Sequence, residues 1–329
     1  MQVLLTAAAY RSFGADLSRP GVDWLLMNED GGLCEPDGLS VPREDARPKI
    51  AWGTSDLFRE GAPLGPFFSF MLGSAELQWF QSPGAGYENP AFGALVANGV
   101  RVTNAHVNSL PIAEFVMRSV LEAFQDAAQW RHQALERRWQ IHDWREVSGS
   151  TWLIVGLGGI GTEVAHRARA FGVRVIGSRL HPSASDPTER TVTPDQLDQV
   201  IGLADVVVLA APATRETENL VDADFLSRMK PRSLLVNVAR GTLVDDNALI
   251  ESLDSGHVSA AVLDVFRTEP LPDDHPFWSH PSIRVTPHNA AGGTGRFQRQ
   301  ADLFKENLDR YLDGRPLLNE VTDAIASQD

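Results

Sequence analysis

Cysteine is almost absent. Cys34 is the single one in 329 residues, which excludes an internal disulfide framework and a cysteine-rich zinc site. No apolar run approaches the roughly 20 residues of a membrane span. The amino terminus lacks the basic-then-apolar pattern of a secretory signal, so the sequence predicts a cytoplasmic protein without a membrane partner. Basic residues are in deficit: Lys+Arg 29 against Asp+Glu 43 gives a formal net charge of −14, a surface expected to repel nucleic acid. A small anionic substrate stays open, because one local arginine outweighs the distant field. Neither G-x-S-x-G nor G-x-x-x-x-G-K-[ST] occurs, which argues against a serine hydrolase and a P-loop enzyme. His275, His280 and His288 are separated by prolines at spacings that suit zinc poorly, so no metal is expected. The rest is ordinary for a globular chain: 43% hydrophobic, 22% charged, and long enough for two domains.

The stretch Thr151-Trp-Leu-Ile-Val-Gly-Leu-Gly-Gly-Ile-Gly161 organises what is there. Trp152 to Val155 reads as a buried strand of a parallel sheet, and Gly156, Gly158 and Gly161 then fall on G-x-G-x-x-G. Thr162 to Phe171 continues as a helix that Gly172 can end. Gly156 makes the tight turn, Gly158 lets backbone approach a pyrophosphate, and Gly161 lets the helix pack close to the strand. With Gly159 and Ile160 they open a helix whose free N–H groups favour a diphosphate. A merely tight strand–helix turn is the alternative, but strand, glycines, helix and a second strand (Val173 to Gly177) occur in order.

Asp205 to Ala210, Ser233 to Val238, Val258 to Leu263 and Ile283 to Val285 complete six strands with helical crossovers. Asp222, Asp245 and the capping box Thr193-Pro-Asp-Gln196 mark helix starts. Earlier strands are expected at Val3 to Leu5, Trp24 to Met27, Ile50 to Trp52, Leu77 to Phe80 and Val100 to Thr103. Residues 28–48 read as an irregular loop, and 60–70 show no usable period. Leu110 to Arg138 reads as one long bridging helix, with Trp130, Trp139 and Trp144 as packing residues. Helix Arg296 to Leu312 should return to the first domain. The fold class is therefore α/β: a Rossmann-type doubly wound parallel sheet, residues 106–289, inserted in a smaller flavodoxin-like α/β domain, residues 1–105 plus 290–329.

Ligands of such sheets bind beyond the carboxyl ends of the strands, where Arg240, Asp264 and His288 fall. An arginine to hold a carboxylate, a histidine to move a proton and an acid, Glu269, to orient it form a coherent set. Gly84 and Gly86 permit an anion nest in Ser82-Pro-Gly-Ala-Gly-Tyr-Glu-Asn89, although a turn without a ligand reads equally well. Trp52, at a strand tip, is a candidate for the substrate wall.

From about Gly84 to Val321 the chain resembles the D-isomer-specific 2-hydroxyacid dehydrogenase family. The resemblance rests on Gly84-Ala-Gly-Tyr-Glu-Asn89, Ala113-Glu114, Gly156 to Gly161, Asn237-Val-Ala-Arg-Gly241, Asp264-Val-Phe266 with Glu269-Pro270, and Pro287-His288. It implies Arg240, Glu269 and His288 as the catalytic residues and Asp264 as the holder of the nicotinamide carboxamide. It places Ser178, Arg179, Ala211, Pro212, Val238, Ala239, Arg240, His288 and Ala290 along the cofactor path. Amides near Ala85 and Gly86 would join Arg240 on the substrate carboxylate. The first 75 residues match poorly. NAD-using members carry an acid about 20 residues after the first glycine, at the end of the second strand. Ile176-Gly-Ser-Arg179 has none there, and Arg179 could pair with a 2′-phosphate; Asp186, the next acid, lies in the following loop beyond Pro182. The resemblance is thus to the glyoxylate/hydroxypyruvate reductase branch, with NADPH preferred and NADH possible. It implies a homodimer joined through the nucleotide domain, acting on a small anionic 2-oxo or 2-hydroxy acid. A bulkier acid, or a dinucleotide-sensing interaction role, are the alternatives.

Overall fold

A computed structural model describes residues 1–86 and 89–326. The chain divides into two compact units, residues 1–108 with 294–329 and residues 109–293.

In the first unit, strands β1 (Gln2–Thr6), β2 (Asp23–Met27), β3 (Leu33–Cys34), β4 (Pro48–Trp52), β5 (Trp79–Gln81) and β6 (Arg101–Thr103) form one sheet in the order β3-β2-β1-β4-β5-β6. All neighbours are parallel except β3, a two-residue antiparallel edge inside the stretch expected to be irregular. The segment without a readable period holds a helix, Leu64–Leu72, whose mostly apolar sequence gives no one-sided stripe. Helix Arg296–Leu312 belongs to this unit: Phe304 and Leu308 pack with Val3, Leu5, Ile50, Trp52 and Trp79. Trp52 corrects an expectation. Its ring is fully buried and stacks on Phe304 with centroids 4.6 Å apart and planes at 2°, so it is core and lines no substrate wall.

The second unit contains β7 (Thr151–Val155), β8 (Arg174–Ser178), β9 (Arg190–Val192), β10 (Val206–Leu209), β11 (Ser233–Asn237), β12 (Val258–Leu263) and β13 (Ile283–Val285). They run parallel in the order β13-β12-β11-β10-β7-β8-β9, one strand more than expected because of the short edge β9. Side-chain alternation divides each strand between two cores. Leu153, Val155, Val207, Leu209 and Leu235 face one, while Trp152, Ile154, Val206, Val208, Leu234 and Val236 face the other. Strand order reverses between β7 and β10, which opens a crevice at their carboxyl ends. Asp222 and Asp245 cap helices as expected, accepting from Phe225 N and Ala248 N at 2.9 and 3.0 Å. The Thr193 box opens only a 3-10 turn, Pro194–Gln199.

The long bridging helix is in fact two, Ser109–Phe124 and Ala127–Leu135. Asp126 interrupts it with a left-handed φ of 51°, and its side chain caps the second helix at Gln129 N. The tryptophans beyond this break are not core residues: Trp139 is 96% exposed, and Trp130 and Trp144 are partly exposed.

At the amino ends of the strands, the Asp205 carboxylate accepts Thr151 N at 2.8 Å and Lys230 Nζ at 2.6 Å, and pairs with Arg145 at 2.5 Å. Burial pushes this carboxyl up, but Lys230, the Thr151 amide and Arg145 outweigh it and hold it below the usual range. A depressed carboxylate stabilises the fold above the unfolded value of about 3.9 and loses that contribution as pH falls through the folded one. Asp205→Asn is therefore expected to cost about 1.5–3 kcal/mol at pH 7, the worth of bonds to a charged group. Denaturant melts at pH 7 and pH 3 should show the deficit shrinking in acid; an equal deficit at both would refute the ion-pair account.

Candidate active site

After β7 the chain turns at Gly156, whose φ of +100° is readily adopted only by glycine. A Cβ there would stand 2.5 Å from the Ala211 amide nitrogen, so the loop after β10 closes directly on this turn. At Gly161 a Cβ would meet the Gly156 carbonyl oxygen at 2.1 Å, which brings helix Gly159–Ala170 against the turn. Around Gly158 no protein atom lies within 4 Å of a Cβ position, and Gly158 and Gly159 are exposed. The helix thus presents its first amides and the positive end of its dipole to open space, a cradle that fits a diphosphate. Ile160 is half-buried against the core that holds Ile154.

The neighbouring strand end is tied to the same turn. Gly156 N and Leu157 N both donate to the Ser178 carbonyl at 3.0 Å. Ser178 is buried, and Arg179 follows it at the surface end of β8. The guanidinium has a protein partner that the sequence did not suggest: Nη1 donates to Asp186 Oδ1 at 2.8 Å. Asp186 returns to the strand end because Ser183 N donates to its other oxygen at 2.8 Å. Burial pushes the Asp186 carboxyl up, but the Ser183 amide, Arg179 and Thr191 hold it below the usual range.

Beyond β11, Asn237 shapes the turn carrying Arg240: its Nδ2 donates to the Arg240 carbonyl at 3.0 Å and its Oδ1 accepts from Ala239 N at 3.0 Å. Arg240 is half-buried, and its Nη1 donates to the Ala239 carbonyl at 2.8 Å. Glu269 and His288 meet directly, with Nδ1 of the imidazole 2.7 Å from Oε2. The other Glu269 oxygen accepts from Phe266 N at 2.9 Å, which aims the carboxylate at the ring. His288 has a φ of 48°, uncommon for a residue with a side chain.

Asp264 holds that conformation. Its buried carboxylate accepts Thr286 Oγ1 at 2.5 Å, Asn289 N at 2.9 Å and Ala290 N at 2.9 Å. The residue expected to hold a nicotinamide carboxamide therefore first clamps the His288 loop; a carboxylate has about four acceptor sites, so one is left. Val238, Ala239 and Ala290 are buried in the core and could line a cofactor only through backbone, whereas Ala211 is half-buried and Pro212 exposed.

In the first unit, Gly84 does not use the left-handed conformation. Its carbonyl accepts from Ala105 N at 2.8 Å, and Asn104 Nδ2 donates to the Ala85 carbonyl at 2.8 Å. Asn104, a polar residue just past β6 that sequence reading passed over, thus secures the loop leading to Gly86. Tyr87 and Glu88 of that motif lie outside the described residues. No group of His, Cys, Asp and Glu among the described residues could hold a metal, and no helix there is long and apolar enough to cross a membrane.

A parallel sheet that reverses strand order at a glycine turn, beside an open helix start, defines a Rossmann-type NAD(P)-binding domain. Residues 117–290, more than half of the chain, match the model of the D-isomer specific 2-hydroxyacid dehydrogenase, NAD binding domain. The chain belongs to the D-isomer-specific 2-hydroxyacid dehydrogenase family. It is similar to a solved family member from Aeromonas salmonicida, with 28% identity, 97% of each chain covered and a TM-score of 0.79. A second, from Xanthobacter autotrophicus Py2 in complex with NADPH and MES, gives 29% identity, 97% of each chain and a TM-score of 0.75. The D-3-phosphoglycerate dehydrogenase of Mycobacterium tuberculosis is 36% identical over 234 residues, covering 70% of this chain and 44% of that protein. The chain thus spans less than half the length of this curated relative.

Because Glu269 meets the imidazole through one charge-assisted contact, removing its charge should weaken the hold on the ring. In a crystal structure of Glu269→Gln the His288 ring is expected to stand farther than 2.7 Å from residue 269 or to occupy more than one rotamer. An unmoved ring would leave Glu269 as a steric support only.

Proposed function

We propose that the chain is an NADPH-dependent reductase of small 2-oxo acids to D-2-hydroxy acids, with glyoxylate and hydroxypyruvate as substrates. The observation that carries this reading is the contact between Glu269 and Nδ1 of His288, which lie beyond β12 and β13, with Arg240 just beyond the neighbouring β11. When bound, the reduced nicotinamide supplies the hydride to the keto carbon. Arg240 forks onto the substrate carboxylate and orients it. Protonated His288 gives its proton to the carbonyl oxygen, and Glu269 stabilises the imidazolium before transfer. In the reverse direction neutral His288 takes the hydroxyl proton.

The glycine turn and the start of helix Gly159–Ala170 are assigned to the diphosphate, and Arg179 to the 2′-phosphate. Arg179 already donates through Nη1 to Asp186, so the phosphate would take the other edge of the fork. Asp264 and the backbone at Val238, Ala239 and Ala290 are assigned to the nicotinamide side. The likeness to D-3-phosphoglycerate dehydrogenases favours a second reading, a 2-hydroxy acid that also carries a phosphate.

An initial-rate screen of 2-oxo acids, phosphorylated ones included, with NADPH and NADH in parallel tests both readings. Turnover of glyoxylate or hydroxypyruvate is expected, and His288→Ala should lower kcat by about 10²–10⁴-fold. Arg179→Asp should raise KM for NADPH at least about tenfold while changing that for NADH much less, since a bond to a charged group is worth about 1.5–3 kcal/mol. No turnover with any 2-oxo acid would favour a sensing role; equal losses for both cofactors would remove Arg179 from the phosphate site.

We also propose a cytoplasmic homodimer joined through the second unit. Leu135, Trp139 and Ile141, 84%, 96% and 88% exposed within seven residues, give that unit an apolar segment suited to burial against another copy. Trp139→Glu with Ile141→Glu should convert a dimer to monomer in sedimentation velocity. A parent protein that sediments as a monomer would overturn the assignment.

A further inference from the structure

Arg267 stands on the strap between Phe266 and Glu269, and neither the motifs nor the proposed chemistry uses it. We infer that Arg267 is a positioning residue: it holds the turn carrying Arg240 and the strap carrying Glu269 in one geometry. The inference rests on the reading of Arg240, Glu269 and His288 proposed above.

Its guanidinium donates outward from the strap to two other loops. Nε donates to the Val244 carbonyl at 3.0 Å, and Nη2 donates to the same oxygen and to Asn219 Oδ1. The Thr242 carbonyl lies 3.4 Å from Nη2. Asp246 offers the counter-charge at 3.8 Å, beyond hydrogen-bond reach, so neutral oxygens do the holding. Three loops converge on one planar fork, a geometry lysine cannot reproduce.

The loops that Arg267 joins are those that aim the site. Residues 242–244 continue the turn that begins at Arg240, and Thr242 and Leu243 carbonyls accept from Asn219 N and Val221 N at 2.9 Å. Turn and strap also touch through backbone: a Cβ on Gly241 would lie 1.9 Å from the Phe266 carbonyl carbon. At that contact Phe266 N donates to Glu269 Oε1 at 2.9 Å, and Glu269 Oε2 meets His288. A closely packed junction transmits displacement instead of absorbing it. Releasing the fork should therefore shift the strap, and with it the carboxylate that faces the imidazole.

The test compares the parent with Arg267→Met, Arg267→Lys and the milder Asn219→Gly, which removes the side-chain acceptor at a φ of 52° that glycine adopts freely. In reduction assays Arg267→Met should lower kcat by about tenfold to hundredfold, the scale of a small misplacement of reacting groups, with KM for NADPH unchanged. Arg267→Lys should remain impaired, and Asn219→Gly should show a smaller loss of the same kind. In crystal structures without substrate, Arg267→Met should place the Glu269 carboxylate farther than the parent 2.7 Å from Nδ1 of His288. A parent without turnover would sink the proposed reaction, while the Glu269–His288 separation would still decide on Arg267. Variants that melt earlier yet keep the parent kcat and that separation would make Arg267 structural only. Full recovery in Arg267→Lys would transfer the role from the fork to the charge.

Discussion

A carboxylate shut away from water must collect its hydrogen bonds from the protein, and Asp264 collects three from a single loop. Thr286, Asn289 and Ala290 bracket His288, so satisfying the buried charge also bends the chain at His288. A non-glycine residue with left-handed φ costs of the order of 1–3 kcal/mol, and bonds to a charged acceptor contribute about 1.5–3 kcal/mol each. The loop therefore holds a conformation it would not adopt alone. The imidazole it presents meets a carboxylate that is itself aimed by a backbone amide, so the protein's own hydrogen bonds fix the pair.

The second constraint is steric. Gly156 and Gly161 have no room for a side chain, one because of the loop after β10, the other because of the turn itself. A Cβ on Gly158 would meet nothing within 4 Å, so packing does not require a glycine there. Three glycines in one motif thus answer to two requirements, packing for the first and third and an open approach for the second.

Strands β7, β10 and β11 were legible because burial on both faces makes them nearly continuous apolar runs. The edge strand β9 was not: three residues beginning with an exposed Arg190 carry no such run. The break at Asp126 was missed because the apolar spacing continues across it, while a single side chain redirects the backbone. Trp52 was placed on the correct strand but on the wrong side of it. The face it occupies is covered by Phe304, some 250 residues later in the chain, which local pattern cannot report. Likewise the empty position after β8 was visible, whereas the return of Asp186 to Arg179 depends on a turn at Ser183. Identities at strand ends were readable, but partners across loops were not.

The two ends of the larger sheet show how one device serves different purposes. Asp205, at the amino ends of β7 and β10, is satisfied by the Thr151 amide and by two half-exposed cations that carry no chemistry. Asp264, at the carboxyl ends, is satisfied by a hydroxyl and two amides of a loop that carries His288. Both lock a connection to the sheet. Loss of the first would change stability, because nothing near it is reactive. Loss of the second would change aim, because the group it holds is the one that faces Glu269.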